Sequence, residues 1–130
     1  MALLAKLGSL CFALWLIFAA IFMVVRPQKC LLFLRTMGST AAIHFGEHSL
    51  RALAGLSLIG LAPQTSAPLA YKVFGAFLLV TSIMIVLAPR RWHHRYAQYW
   101  ALKISPKALS LMAILPLALG IYLTWVVLAL

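Results

Sequence analysis

The sequence predicts an all-α integral membrane protein with four transmembrane helices, arranged as two tandem helical hairpins. Three observations predict this class. The 130 residues are 65% hydrophobic and only 9% charged, whereas about a quarter of the residues in a typical soluble domain are charged. A soluble core in so short a chain could not bury this much apolar surface. Finally, four apolar runs alternate with segments that contain proline or basic residues.

The four predicted spans are 7–25, 41–61, 69–88 and 109–130. Each is long enough to cross a hydrocarbon core of about 30 Å. The first run has no charged residue between Lys6 and Arg26. It is longer than the apolar region of a typical signal peptide, so we expect it to be retained as a helix.

Turn and cap residues set the remaining boundaries. Proline disfavours helical geometry in the residue before it, so Pro27 and Pro89 predict the ends of the first and third spans. Ser39 or Thr40 is the expected cap of the second span. Ser105, followed by proline, is the expected start of the fourth span.

The chain divides into two similar halves, 1–62 and 63–130, and each half is a predicted hairpin. In each, an apolar span is followed by a proline beside an arginine, a basic stretch and a second apolar span. This order predicts two hairpins of the same orientation, related by an axis along the membrane normal. The alternative is a chance similarity between two hairpins.

The basic residues predict the orientation. All Lys and Arg except Lys6 and Lys72 lie in segments 26–51 and 90–107. By the positive-inside rule these segments are cytoplasmic, and both termini and the turn at 63–68 lie outside. We expect a bacterial inner membrane. Nucleic-acid binding is disfavoured, because the basic residues lie between apolar spans and form no separate basic domain.

A polar cluster at the start of the second span is the main candidate site. Its members lie on one side of the predicted helix and include the only acidic residue of the chain: His44, Glu47, His48 and Arg51. Polar side chains entering a membrane helix are costly unless paired, which makes them candidates for function. Small residues on the opposite side predict a close contact with another helix: Ala42, Gly46 and Ser49.

Several interpretations of this polar cluster remain open. The favoured one is an ion pair between Glu47 and Arg51, with the histidines completing a hydrogen-bond network. The segment also resembles the His-x-x-Glu-His motif of inverted zinc proteases, over five residues, which implies metal ligation by His44 and His48. A third ligand would come from His93 or His94 in the second half. Haem ligation by histidines of two helices is a further alternative.

A basic and aromatic interfacial helix is predicted between the third and fourth spans. On a helix, four residues form an aromatic stripe: Trp92, Tyr96, Tyr99 and Lys103. A second face carries Arg91, His94, Arg95 and Gln98. Such a helix suits the membrane interface, although an ordinary basic loop with an aromatic belt is the alternative. The expected contacts with anionic lipid or a partner are Arg90, Arg91, Trp92, His93, His94, Arg95, Tyr96, Tyr99, Trp100 and Lys103.

These features predict a non-catalytic accessory subunit. It would pack on a larger membrane complex, or on itself, and contact anionic lipid headgroups. No catalytic residue and no cofactor are assigned in this prediction. The alternative is a binder or transporter of an anionic lipid or phosphate-bearing ligand, held by Arg51, Arg90, Arg91, His93 and His94. A metal site or zinc hydrolase at the His-x-x-Glu-His stretch is the third hypothesis.

Overall fold

The computed structural model describes residues 2–130, which are almost entirely helical and contain no strand. Seven α-helices follow one another: α1 (Ala2–Val25), α2 (Pro27–Arg35), α3 (Ala41–Leu61), α4 (Pro68–Leu87), α5 (Arg90–Lys103), α6 (Pro106–Met112) and α7 (Ile114–Ala129). A single 3-10 turn, Ala62–Gln64, follows α3. The all-α class predicted from the sequence is confirmed.

Within the described chain, three helical segments are long and apolar enough to cross a membrane: Ala2–Val25, Pro68–Leu87 and Pro106–Ala129. Helix α3 has the predicted bounds but does not belong to this set, so the prediction of four spans is supported only in part. Its first three turns carry the polar cluster, and these side chains lower the mean hydropathy of the helix. The sequence prediction gave more weight to the length of α3 than to this polarity.

The last span contains a break that the sequence analysis did not predict. Helix α6 ends at Met112 and α7 begins at Ile114, with a turn at Ala113. Pro116 explains this break, because proline has no N–H to donate to the carbonyl of Met112 four residues earlier.

Side-chain caps fix the starts of two helices. The Thr40 hydroxyl accepts a hydrogen bond from the Ile43 N–H at 3.1 Å, at the start of α3. The Ser105 hydroxyl accepts one from the Ala108 N–H at 3.1 Å, at the start of α6. Each cap satisfies an N–H that has no partner within its own helix. Thr40 is one of the two caps predicted for α3, and Ser105 is the predicted start of the last helical segment.

Two close crossings hold the long helices together. Helix α3 packs on α4 and α1, and α1 also packs on α7. At the α3–α4 crossing, a Cβ added to Gly55 would lie 2.6 Å from the Gly75 carbonyl oxygen. At the α1–α7 crossing, a Cβ added to Gly120 would lie 2.8 Å from the Ala13 carbonyl oxygen. Small residues therefore let the backbones touch at both crossings.

The close contact predicted for the other face of α3 is wrong within this chain. Ala42, Gly46 and Ser49 are exposed, and a Cβ added to Gly46 would meet nothing within 4 Å. The contact lies further along the helix, at Gly55. The three small residues point away from α1 and α4, so their size is not used for packing here.

The apolar core lies toward the end of the bundle that holds the turn between α3 and α4. Its most deeply buried members include Leu58, Leu61, Ala62 and Leu123. The first turns of α1 meet the last residue at this end, where the Lys6 Nζ donates to the Leu130 carbonyl at 2.9 Å. At the opposite end, the shorter helices α2 and α5 pack on each other and α2 also contacts α6.

Candidate metal centre

Three histidines from two helices meet where α3 and α5 approach each other. His44 and His48 lie one turn apart on α3, and His93 lies in the first turn of α5. One ring nitrogen from each can be chosen so that all three lie within 4.8 Å of one another. The structure thus brings together the two predicted ligands and one of the two histidines proposed as the third.

The spacing of two of the ring nitrogens suits a tetrahedral metal ion. The Nδ1 atoms of His44 and His93 lie 3.3 Å apart. Zinc–nitrogen bonds of about 2.0–2.1 Å at tetrahedral angles place two ligand nitrogens about 3.3–3.4 Å apart. The ring of His48 lies 5.1 Å from that of His44 and 4.8 Å from that of His93, measured between centroids. The nitrogen that His48 offers lies within 4.8 Å of the other two.

Two histidines of this cluster are deeply buried, and the ring nitrogens of one of them have no hydrogen-bond partner. His44 and His48 are each only 1% exposed. Both ring nitrogens of His48 are buried without a hydrogen-bond partner. A neutral imidazole has one donor and one acceptor nitrogen, and leaving a buried polar atom unpaired costs about 1–3 kcal/mol. A bound metal ion would give one of these nitrogens a partner.

The loop between α2 and α3 positions His93. Gly38 has a φ of +71°, which side chains disfavour, and a Cβ there would lie 3.0 Å from both His93 Nδ1 and the His94 backbone nitrogen. His94 Nδ1 lies 2.8 Å from the Met37 carbonyl oxygen and, as a ring N–H, donates to it. The start of α5 is thereby held against the loop, and His93 is turned toward α3.

Burial and neighbouring groups disfavour the charged form of His93. Burial lowers the pKa of His93, and the neighbouring His94 and Arg51 lower it further. An imidazole must be neutral to ligate a metal ion, so this shift favours the ligating form at pH 7.

The ion pair predicted between Glu47 and Arg51 is not formed as a direct hydrogen bond. Arg51 donates from a terminal guanidinium nitrogen to the Thr81 hydroxyl on α4, at 3.0 Å. The Arg51 Nε and the Glu47 Oε2 are both buried without a hydrogen-bond partner. Thr81 is the competing acceptor, and no local sequence pattern indicates that it faces α3.

Glu47 instead lines a cavity of about 460 Å³. His93 lines the same cavity, so the polar part of the wall includes one residue of the histidine cluster and the only acidic residue of the chain. The rest of the wall is apolar or aromatic: Leu34, Met37, Tyr96, Ala97, Trp100, Ile104 and Met112.

The predicted contact residues of α5 divide into two groups. Most of them are exposed: Arg90, Arg91, Trp92, Arg95, Tyr96, Tyr99, Trp100 and Lys103. His93 and His94 turn inward and contact α3 and the Met37 carbonyl. In the aromatic stripe, the Lys103 Nζ lies 4.7 Å from the centre of the Tyr99 ring, which is a cation–π contact.

Two of the ligands considered from the sequence fit this arrangement poorly. The rings of His44 and His93 lie 5.3 Å apart between centroids, so no macrocycle fits between them. The five residues proposed to bind a phosphate have different partners or surroundings. Arg51 bonds Thr81, His93 contacts His44, His94 bonds Met37, and Arg90 and Arg91 are exposed.

Comparison with known proteins adds no relative to this description. No protein-family model, no curated protein and no solved structure matches the chain.

Proposed function

We propose that this chain is an integral membrane protein that binds one transition-metal ion, of the Zn²⁺ type, through His44, His48 and His93. The observation that carries the proposal is the convergence of three imidazoles, two of them fully buried, with both nitrogens of His48 unpaired. Imidazole is a preferred ligand of zinc, and three protein ligands leave a fourth position open for water or another molecule.

Hydrogen bonding alone is a weaker explanation of the cluster. The contact between His44 and His93 can be one hydrogen bond, with one ring donating and the other accepting. It leaves His48 with two unsatisfied nitrogens, although this residue is only 1% exposed. A metal ion accounts for the arrangement of all three rings, whereas a hydrogen bond accounts for only two.

We also propose that α3 crosses the membrane with the three apolar helices, giving four spans in two tandem hairpins. Matching burial in the two halves supports this. Helices α1 and α4 can be aligned residue by residue without gaps. In this alignment all four buried residues of α4 match buried residues of α1: Ser9 with Tyr71, Ala13 with Gly75, Leu16 with Leu78, and Ala20 with Ser82.

A second gap-free alignment relates α3 to α6 and α7. The matched buried pairs are His44 with Leu109, His48 with Ala113, Gly55 with Gly120, Leu58 with Leu123, Leu61 with Val126, and Ala62 with Val127. The two caps, Thr40 and Ser105, are also matched in this alignment. The two close crossings correspond as well, since Gly55 on Gly75 matches Gly120 on Ala13. Tandem hairpins related by a two-fold axis explain these matches.

The comparison of halves also predicts a single metal ion for each chain. The positions that match His44 and His48 hold Leu109 and Ala113, which cannot ligate a metal.

In this four-span arrangement the basic segments are cytoplasmic, in a bacterial inner membrane, and both termini lie outside. The metal site then lies near the cytoplasmic interface.

The test is a metal-binding measurement on protein purified in mild detergent and freed of metal by a chelator. We expect one Zn²⁺ per chain by equilibrium dialysis and elemental analysis. His48→Ala and His93→Ala should each reduce the affinity at least 10-fold. His94→Gln is the matched control, because it changes the neighbouring histidine of α5 while keeping a donor for the Met37 carbonyl. Binding that survives His48→Ala would refute the site.

A second proposal concerns the surface of α5. Its exposed aromatic and basic side chains would rest on anionic lipid headgroups, and three of the aromatic residues are at least half exposed: Trp92 at 60%, Tyr96 at 66% and Tyr99 at 50%. Aromatic rings and arginines together suit the interfacial region. Co-purification of anionic lipid, lost on changing Arg90, Arg91 and Arg95 to Gln, would test this.

The accessory role in a larger complex stays a prediction. A pull-down in mild detergent would test it by looking for a stoichiometric partner.

A further inference from the structure

We infer that a groove between α2 and α6 binds the headgroup of one anionic glycerophospholipid, whose phosphate is held by Arg26 and Lys29. This inference depends neither on the metal site nor on the lipid contact proposed for α5. It adds a specific lipid site, formed by residues that those two proposals do not use.

The groove lies where α1 passes into α2 and where α6 begins. Helices α1 and α2 both pack on α6. The Ser110 hydroxyl oxygen on α6 lies 3.3 Å from the Met23 carbonyl oxygen on α1, within hydrogen-bonding distance. The groove has a volume of about 430 Å³, and three apolar and three polar residues line it: Val25, Pro27, Pro106, Arg26, Gln28 and Lys29.

Two candidate membrane spans end at this groove, which places it at the membrane interface. The span Ala2–Val25 ends at one groove residue, and the span Pro106–Ala129 begins at another. A spanning helix ends near the boundary between the hydrocarbon core and the headgroups. The groove is therefore at a depth that lipid headgroups can reach.

The charge of the groove favours an anionic ligand. Arg26 and Lys29 are three residues apart, and both are exposed. The only acidic side chain of the sequence is Glu47, which lines the other cavity. No carboxylate side chain can therefore neutralise these two cations. Phosphate oxygens are suitable partners, because they accept charge-assisted hydrogen bonds from guanidinium and ammonium groups.

Other basic residues of the chain also lack an acidic partner. Arg26 and Lys29 differ from them because they share one concave site with apolar walls. A free phosphate ion would leave those apolar walls without a contact. The glycerol backbone and the first acyl methylene groups of a lipid can cover them while the phosphate meets the two cations. The shape and composition of the groove therefore favour a lipid phosphate.

The two cations also select among lipid headgroups. A zwitterionic headgroup would bring its ammonium group close to Arg26 and Lys29, and like charges repel. A headgroup with hydroxyl groups, such as phosphatidylglycerol, adds no positive charge. The side-chain amide of Gln28 can donate a hydrogen bond to such a hydroxyl or accept one from it.

The experiment is a calorimetric titration of the full chain in a mild non-ionic detergent, with protein-free detergent as the blank. The three ligands are dihexanoyl phosphatidylglycerol, dihexanoyl phosphatidylcholine and inorganic phosphate. We expect one saturable site for phosphatidylglycerol and a Kd about 10-fold higher for the other two ligands. The titration is repeated in a variant in which Arg90, Arg91 and Arg95 are changed to Gln, which removes the proposed lipid contact of α5. The site should remain.

Three single variants test the groove itself. Arg26→Gln and Lys29→Gln should each raise the Kd for phosphatidylglycerol about 10-fold, because each loses a charge-assisted hydrogen bond. Lys107→Gln is the matched control, because Lys107 directly follows Pro106 but does not line the groove. It should leave the Kd within a few-fold of wild type. All three side chains are exposed, so the variants should fold, which gel filtration in detergent checks.

Each contrary outcome overturns a stated part of the inference. Equal losses in all three single variants would show general charge attraction and no specific site. Inorganic phosphate that binds as tightly as phosphatidylglycerol would make this an anion site that does not recognise lipid. Equal affinity for phosphatidylcholine would remove the selection by headgroup charge. None of these titrations uses a metal ion, so failure of the metal site would leave their results unchanged.

Discussion

Replacing His48 with leucine should stabilise the metal-free protein while abolishing its response to metal. His48 is 1% exposed, and neither ring nitrogen has a hydrogen-bond partner. Each unpaired buried nitrogen costs about 1–3 kcal/mol. Leucine has a similar volume and no polar atom. Because leucine fits the imidazole-shaped space imperfectly, we expect a net gain of about 1–3 kcal/mol in the free energy of unfolding.

Metal should reverse this order of stability. A ligand that binds only the folded state at 100 times its Kd stabilises that state by about 2.7 kcal/mol. Wild type should gain this amount on adding Zn²⁺, and His48→Leu should gain almost none. The measurement is unfolding in mild detergent, followed by tryptophan fluorescence, with and without a chelator.

His94→Leu is the matched control. His94 is half-buried but bonded to the Met37 carbonyl at 2.8 Å. Losing that bond should destabilise the protein by about 0.5–1.5 kcal/mol with or without metal. The reasoning would be refuted if His48→Leu destabilised the metal-free protein, because His48 would then make hydrogen bonds that the structure does not contain.

Three other predictions concern packing, the interface and topology. Gly55→Ala should be less stable than Gly46→Ala by about 1–3 kcal/mol, because both changes gain the same helix propensity and only the new methyl group at the crossing overpacks, which costs about 1–3 kcal/mol. Equal stabilities in a detergent unfolding assay would contradict the crossing. Changing the three aromatic residues of the aromatic stripe to serine should weaken binding to anionic vesicles in a flotation assay more than Gln98→Ala does, and equal losses would show that the stripe contacts no lipid. Single cysteines introduced at Gln64 and Gln98 should react with an impermeant maleimide from opposite sides of the membrane, whereas labelling from one side would rule out the four-span topology.

Much of the helical framework could be predicted from the sequence, because its signals are local. The cap at Thr40, the cap at Ser105 and the prolines after α1 and α4 are signals that depend on a few neighbouring residues. The bounds of α3 were predicted for this reason. The break at Ala113 was missed because the apolar run around Pro116 was read as one continuous span.

The candidate site was only partly predictable, because its geometry depends on contacts between distant segments. The spacing of His44 and His48 on one helix indicated two ligands. Sequence could not choose between His93 and His94, since that choice depends on Gly38 and Met37 holding the start of α5. The partner of Arg51 was likewise missed, because Thr81 reaches it only through the close α3–α4 crossing.

The α3–α4 crossing is repeated between α1 and α7, so each half of the chain carries one side of both contacts. In an isologous homodimer, a two-fold axis makes the same contact twice, once from each subunit. Two crossings of the same kind have this geometry. The segment 67–130 carries Gly75 on α4 and Gly120 on α7, the matching partners of the two crossings. Two copies of this half could therefore pair as the intact chain does, each placing Gly120 on the other's Gly75. Such a dimer would keep the architecture but lack His44 and His48, so each site would retain only His93 of the three proposed metal ligands.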